Sequence, residues 1–431
     1  MKIETSWRNI HNFKLVTAEQ AMQMVNSGDR VVVGSACGEP KALMAALAAR
    51  GSELKAVEIV QLPAMEANQY VQLGMEKTFR YNALFVIPSI INMLEEQSAD
   101  YTPCFFSEIP CLFRNKVLPV DVALIQVTPP DEQGFCSYGI AVDYTKPAAE
   151  CARIVIAQMN GNMPRTGGAK IALEAINYIV EKDEPILELN PVQISEVEKQ
   201  IGKNIAALIP DGATLRLGIG AVDNAVTLFL QDKKDLGIHS EVFSDHIVSL
   251  AQAGVITNRK KTMNAGKFCA AFLLGTRKTY DFVHNNPDVE MHSLEYINDP
   301  YIIGQHEKFI AVTSALQVDL TGQVNAETID SKQVSGAGSL ADFVRGASRS
   351  FGGKSIIALP STTANGQISN ICCELDRGAA ISISRNEVHY VVTEYGVAEL
   401  KGRSLRQRAQ ALIAVSHPEF RERLTAQVRN F

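Results

Sequence analysis

Short runs of β-branched and apolar residues alternate with longer stretches of helical period along most of this chain, and that alternation is its tightest structural constraint. Arg30–Gly34 (RVVVG) sets the type. Consecutive β-branched residues suit a strand buried on both faces, as in a parallel sheet covered by helices. A turn over 34–39 follows, and Pro40 opens a helix that ends near Arg50, with Gly51 just beyond. Proline in a first turn and glycine past the end are the expected start and stop chemistry. Further strands are predicted at Val57–Leu62, Val120–Val127 and Arg153–Met159. The second half repeats the scheme: Ala213–Leu217 reads as a strand, Gly218–Ala221 as a turn and Val222–Leu230 as a helix. Later strands are predicted at Lys267–Leu274, Phe309–Val312, Lys354–Leu359 and Val388–Val392. The strand–glycine turn–helix units near Gly34 and Gly218 point to two related α/β halves. Strands alternating with helices build parallel βαβ units, whose ligands sit at the carboxyl ends of the strands.

The chain has 431 residues, enough for two or three domains at roughly 150 residues each. The best linker is Glu181–Gln200, which opens on the charged, proline-broken stretch Glu181-Lys182-Asp183-Glu184-Pro185. A boundary near 190 gives domains over 1–190 and 191–431. Hydrophobic residues at 46% exclude a disordered chain. A net charge of −6 argues against a duplex-coating nucleic-acid binder. No apolar run approaches the roughly 20 residues needed to cross a bilayer. Met1–Ile10 carries Glu4, Trp7 and Arg8 and lacks an apolar signal core, and neither end carries a lipidation motif. The eight cysteines show no C-x-x-C and lie mostly among apolar residues, so they read as free thiols of a cytoplasmic protein.

Four segments can carry chemistry. The turn Gly218-Ile219-Gly220-Ala221-Val222 brings backbone amides and a helix N-terminus together, a place for an anionic group. It lacks the third glycine of a dinucleotide fingerprint and the Gly-Lys-Ser/Thr of a P-loop, and a plain tight turn explains it equally. In His239-Ser240-Glu241-Val242-Phe243-Ser244-Asp245-His246, Glu241 follows a strand and precedes a helix capped by Ser244 or Asp245. Three readings stay open there: a carboxylate nucleophile, a metal site from His239, Glu241, Asp245 and His246, or an N-cap cluster. The spacing matches no zinc signature, so no metal is expected. Gly336-Ala337-Gly338-Ser339 lies before a helical pattern and can present amides to an oxyanion or serve as a flexible loop. The loop 127–139, with two prolines and two glycines, reads as a stiff pocket wall or a structural turn. Basic residues cluster at Arg259-Lys260-Lys261 and at Arg403, Arg406 and Arg408; such runs meet phosphates or simply face solvent.

Taken in order, these pieces resemble one family. VTPPDEQGFCSYG at 127–139, NMPRTGG at 162–168, LGIGAVDNAV at 217–226, LGIHSEVFSDHIVSLAQAGVITNRKKT at 236–262, EYINDPYIIGQHEKFIAVTSALQVDLTGQVNAE at 295–327, SGAGSLADFVRGA at 335–347 and TEYGVAELKGRSLRQRAQALIAVSHPEFRERL at 393–424 carry the resemblance. It is to the acetyl-CoA hydrolase/transferase family of class I CoA-transferases, in the branch of 4-hydroxybutyrate and butyrate:acetate CoA-transferases. The ordered set spans nearly the whole chain. The loop GSACGEP at 34–40 fits the family less closely, and no binding role is carried over to it.

The resemblance implies two tandem open α/β domains with mainly parallel sheets and an active site at their interface. It implies a glutamate nucleophile, matched by Glu241, and CoA contacts or oxyanion support from Gly218, Ile219, Gly220, Ala221 and Val222 and from Gly336, Ala337, Gly338 and Ser339. Acyl-CoA and a short carboxylic acid are then the substrates, with no permanently bound cofactor. Acetate, butyrate and 4-hydroxybutyrate follow the branch; succinate or itaconate would need a second cationic subsite. A homodimer or higher homo-oligomer is the family expectation. An acyl-CoA hydrolase shares every motif, and a non-catalytic CoA-binding protein on the same scaffold is the rival from another class.

Overall fold

The structure, a computed structural model, describes Trp7 and residues 12–62, 77–190, 192–363 and 365–428. Apart from Trp7, the N-terminal stretch examined for a signal core lies outside the described residues. The chain divides into two compact units. One holds the residues up to Leu189 together with Ala270–Glu295; the other holds Asn190–Cys269 and Tyr296 onward. A single boundary near 190 does not express the excursion at 270–295.

The first unit is built on seven strands: β1 (Arg30–Val33), β2 (Val57–Gln61), β3 (Phe79–Ala83), β4 (Ala99–Tyr101), β5 (Val122–Val127), β6 (Ile154–Met159) and β7 (Tyr178–Glu181). Their order is β7-β6-β5-β1-β2-β3-β4, and every pair is parallel. All six residues of β5 are buried, which is why its sequence shows no alternation. Helix α1 (Lys41–Ala49) sets Leu43 and Leu47 into the core beside Val31, Val33, Ile59 and Leu124. The apolar run 267–274, expected as one strand, breaks into Phe268–Ala270 and Phe272–Leu273. The break falls at Ala271, whose carbonyl accepts the N–H groups of Val142 at 3.0 Å and Asp143 at 3.1 Å. With Leu273 N–H on the Ile140 carbonyl at 2.9 Å, these bonds tie the excursion to the first unit.

The second unit carries β8 (Thr214–Arg216), β9 (Gly237–Ile238), β10 (Phe309–Ser314), β11 (Lys354–Ala358), β12 (Tyr390–Thr393) and β13 (Gly396–Glu399). The order is β9-β8-β10-β11-β12-β13, parallel except for the β12–β13 hairpin. Helices α2 (Glu196–Ala206), α3 (Ala221–Leu228), α4 (Asp245–Gln252) and α5 (Leu340–Arg349) belong to this unit, with α6 (Leu405–Ala414) and α7 (Pro418–Gln427) at its end. Ser195 with Glu198 and Ser404 with Gln407 form capping boxes that start α2 and α6.

Both sheets share one topological device. In the first, the chain runs from β1 out to β4 and returns to β5 on the other side of β1. In the second it leaves β8 for β9, then returns to β10 on the other side of β8. Such reversals open a crevice at the strand carboxyl ends, the general ligand position in open α/β sheets.

Candidate active site

The crevice of the second sheet holds Glu241. The residue leaves the end of β9 and is 4% exposed. Arg216, the last residue of β8, reaches it with a two-pronged guanidinium: Nε donates to Oε2 at 3.0 Å and Nη2 to Oε1. Ser339 Oγ donates to the same Oε1 at 2.7 Å and accepts from Arg216 Nη2 at 3.2 Å. The remaining Arg216 prong donates to the Val312 carbonyl of β10, so the guanidinium spans the reversal point of the sheet. Its face rests on the Phe343 ring, 5.4 Å from the centroid. Burial works against the Arg216 charge, yet Glu241 beside it holds its pKa above the usual value. A bidentate, hydrogen-bonded pair is the form in which a buried carboxylate can stay charged.

The turn after β8 is organised by Asp223. Its Oδ1 accepts the Gly218 N–H at 2.7 Å, so that amide is already committed inside the turn. Burial pushes the Asp223 pKa up, while Arg216 and the Gly218 amide oppose that rise. Gly220 stands at φ +135°, a conformation L side chains rarely adopt, and forms the N-cap of α3. Ala221 and Val222 then lie in a first helical turn, where N–H groups have no intrahelical acceptor. Ile219 is 47% exposed at the tip, whereas Gly218 is buried. Gly336, Ala337 and Gly338 lead into α5, and Ser339 takes its N-cap position without a side-chain cap. Its hydroxyl goes to Glu241 instead, a use of Ser339 not read from the sequence.

The structure separates the other residues of the His239–His246 segment. His239 Nε2 faces the Ile297 carbonyl at 2.8 Å, and Glu241 turns to Arg216. Asp245 opens α4, with Ser244 as N-cap but no side-chain cap bond. Two of the four groups weighed as a metal set, His239 and Glu241, therefore face different partners. Loop 127–139 closes on itself. Asp131 Oδ1 accepts the Gln133 and Phe135 amides at 3.0 and 2.9 Å, and Phe135–Ser137 pairs antiparallel with Lys170–Ala172. Arg165 of the NMPRTGG stretch ties to it through the Pro129 carbonyl. Three members of the basic clusters make structural bonds, while Arg259, Lys260 and Arg406 are exposed. Lys261 is 4% exposed and donates to the Ile238 and Lys267 carbonyls at 2.8 and 2.6 Å. Arg403 pairs with Glu399 at 3.2 Å, and Arg408 caps the Arg385 carbonyl at 2.6 Å.

Arg216 went unnoticed as a site residue because it lies inside the predicted strand Ala213–Leu217. The signal was present: one charged side chain stands next to last in the run Ala213-Thr214-Leu215-Arg216-Leu217, where the buried parallel strand ends.

The comparisons with known proteins extend beyond the site. The model of the acetyl-CoA hydrolase/transferase N-terminal domain matches residues 4–190, and that of the C-terminal domain matches 275–428. The 4-hydroxybutyrate coenzyme A transferase of Clostridium kluyveri is 54% identical over 419 residues, covering 97% of this chain and 98% of that protein. The butyryl-CoA:acetate CoA-transferase of Anaerostipes caccae is 38% identical, covering 97% and 96%. Among solved structures, the 4-hydroxybutyrate CoA-transferase of Porphyromonas gingivalis superposes with a TM-score of 0.82 at 38% identity, covering 98% and 99%. RipA of Yersinia pestis superposes at 0.93 with 33% identity, covering 100% and 99%. With both domain models matched in order and a relative this similar over nearly its whole length, the chain belongs to the acetyl-CoA hydrolase/transferase family.

Proposed function

We infer that this enzyme is an acyl-CoA:carboxylate CoA-transferase that works through Glu241. The observation that carries the reading is the Glu241 carboxylate held by the Arg216 fork and Ser339 at the reversal point of the second sheet. A carboxylate is a weak nucleophile that gains from fixed geometry and an electropositive partner. Glu241 attacks the thioester carbonyl, the C–S bond breaks, and CoA leaves as thiolate from an enzyme–acyl anhydride. The thiolate then attacks the glutamyl carbonyl, the anhydride C–O bond breaks, and the acid departs as carboxylate. The resulting glutamyl-CoA thioester is resolved by an incoming carboxylate running both steps backwards. One negative charge is passed on at each step, and no external energy source is needed.

When Glu241 becomes acylated it loses its charge and releases the Arg216 fork. The fork then suits the carboxylate that leaves or enters, a group of the same shape and charge. Amides of the first turn of α3, together with Gly338 and Ser339, are the donors available for tetrahedral oxyanions and for CoA. Short monocarboxylates are the substrates this reading favours, in keeping with the names of the similar enzymes: 4-hydroxybutyrate, butyrate and acetate. All eight cysteines are free thiols, which supports a cytoplasmic location. No helix of the described residues is long and apolar enough to cross a membrane. A homo-oligomer is retained as the family expectation.

The test is a short acyl-CoA mixed with the protein without acceptor, followed by intact mass and peptide mapping. A CoA adduct on Glu241 that disappears on adding acetate or 4-hydroxybutyrate supports the transferase. Steady CoA release with no adduct and no acceptor would favour a hydrolase instead.

A further inference from the structure

Two histidines beneath the nucleophile have no place in the chemistry above. His239, two residues before Glu241, and His306, ahead of β10, are both 0% exposed. A carbonyl can only accept, so the 2.8 Å contact of His239 Nε2 with the Ile297 carbonyl places a proton on Nε2. In a neutral ring His239 Nδ1 is then a bare acceptor. His306 Nε2 lies 3.3 Å from it and must be the donor. That leaves His306 Nδ1 unprotonated, and it has no hydrogen-bond partner among the described residues. Burial and the nearby Lys261 ammonium push the His306 pKa down to about 3, so this neutral tautomer holds throughout the working range. The His306 backbone is fixed as well: Ser350 Oγ donates to its carbonyl at 2.5 Å and accepts the Phe309 N–H at 2.9 Å.

The pair also joins the two halves of the site through ring contacts. The imidazole centroids are 4.8 Å apart, and Phe309 stands against both. Phe309 stacks on Phe343 at 6.0 Å and 10°, and Phe343 carries the Arg216 guanidinium. We propose that His306 is a positioning residue for the nucleophile. By donating to His239 Nδ1 it locks that ring at both nitrogens, and so fixes the peptide that presents Glu241 to Arg216. The proposal rests on Glu241 being the nucleophile, and it assigns His306 no proton to transfer.

The test compares full-length wild type with His306→Gln and His306→Leu. It reads three quantities: the rate of Glu241–CoA adduct formation at saturating acyl-CoA, KM for the acyl-CoA, and histidine side-chain ¹⁵N shifts. Glutamine keeps a donor for His239 Nδ1, so its rate is expected within about 3-fold of wild type. Leucine removes the donor, and a displaced reacting group slows adduct formation by roughly 10- to 100-fold with KM nearly unchanged. The ¹⁵N spectrum of wild type should show the His306 ring neutral and protonated at Nε2 at pH 5. A folded leucine variant forming adduct at the wild-type rate, or a glutamine variant as slow as leucine, would overturn the proposal. So would a charged or Nδ1-protonated His306 in wild type, a readout that needs no variant to fold. Absence of any adduct in wild type would overturn the transferase reading, while the ¹⁵N pattern still decides on its own whether His306 donates to His239.

Discussion

The two sheets reverse direction in the same way but furnish their carboxyl ends with different chemistry. At the reversal between β1 and β5 the side chains are mostly neutral amides. Gln61 Nε2 donates to the Gly34 carbonyl at 3.0 Å and to Glu39 Oε2 at 3.1 Å. Gln126 Nε2 donates to the Glu39 carbonyl at 2.9 Å and accepts from Asn160 Nδ2 at 2.7 Å. Gln158 Oε1 accepts the Ala42 amide at 3.0 Å, at the entry to α1. At the reversal between β8 and β10 the corresponding place is taken by the Arg216–Glu241 pair with Ser339. Amides bond strongly to the backbone and hold a buried loop in one shape. A carboxylate–guanidinium pair can exchange its partner and move charge. The same topology thus carries a neutral amide scaffold in one unit and, in the other, the charged pair proposed as the reaction centre.

The sharpest way to break this contrast is at the nucleophile. Glu241→Ala should lower turnover by more than about 10⁴-fold and abolish the CoA adduct, since the covalent route is lost. Glu241→Asp, shorter by one methylene, should still form adduct but at a heavily reduced rate. Stopped-flow release of thiol separates the two. If Glu241→Ala kept wild-type turnover, the reaction centre would lie elsewhere.

Arg216→Met comes next. Lost stabilisation of the transferred charge should lower kcat by about 10²- to 10³-fold. The uncompensated buried Glu241 should also cost about 3–5 kcal/mol of stability, read by urea unfolding. A variant with normal kcat would make the pair purely structural and erase the contrast with the first sheet.

In the amide network, Gln126→Leu removes one of the two acceptors of the Asn160 amide and a donor to the Glu39 carbonyl. The expected loss is about 1–3 kcal/mol in unfolding free energy. That cost should come without an altered pH profile, because no charge is removed.

The smallest effect is in the acid limb of stability. His306, with its pKa at about 3, and His389, held to about 4 by burial beside Lys401, are depressed below the ordinary histidine value near 6.5. Their contribution is fully present above pH 6.5 and is lost as pH falls towards 3 and 4, because the unfolded state takes up the protons first. His306→Gln should flatten the slope of unfolding free energy between pH 6 and 4 by up to about 1.4 kcal/mol per pH unit. An unchanged slope would mean that His306 is not held neutral.

Much of this fold could be read from local pattern. Arg30–Gly34, Val120–Val127, Arg153–Met159, Ala213–Leu217 and Lys354–Leu359 all overlap strands of the structure within a few residues. Short strands with mixed sequence were missed. Phe79–Ala83 contains Arg80 and Asn82, whose partners Asp100 and Glu58 come from neighbouring strands. The run at 267–274 looked continuous because hydrophobicity reports burial and not where a ladder stops.

Glu241 and the glycine turns were marked by sequence, because a family motif and a strand-to-helix junction are local properties. What the motif could not contain was Arg216, 25 positions away, or the Ser339 hydroxyl, 98 positions away. Those three meet only because β8 lies between β9 and β10 in its sheet and α5 packs against β10 and β11. The amino-acid order alone determined the α/β class and the parallel strands, and it singled out the carboxylate proposed to act. The tertiary structure decided which cation holds that carboxylate, because a guanidinium and a carboxylate recognise each other through distance and direction, and sequence spacing carries neither.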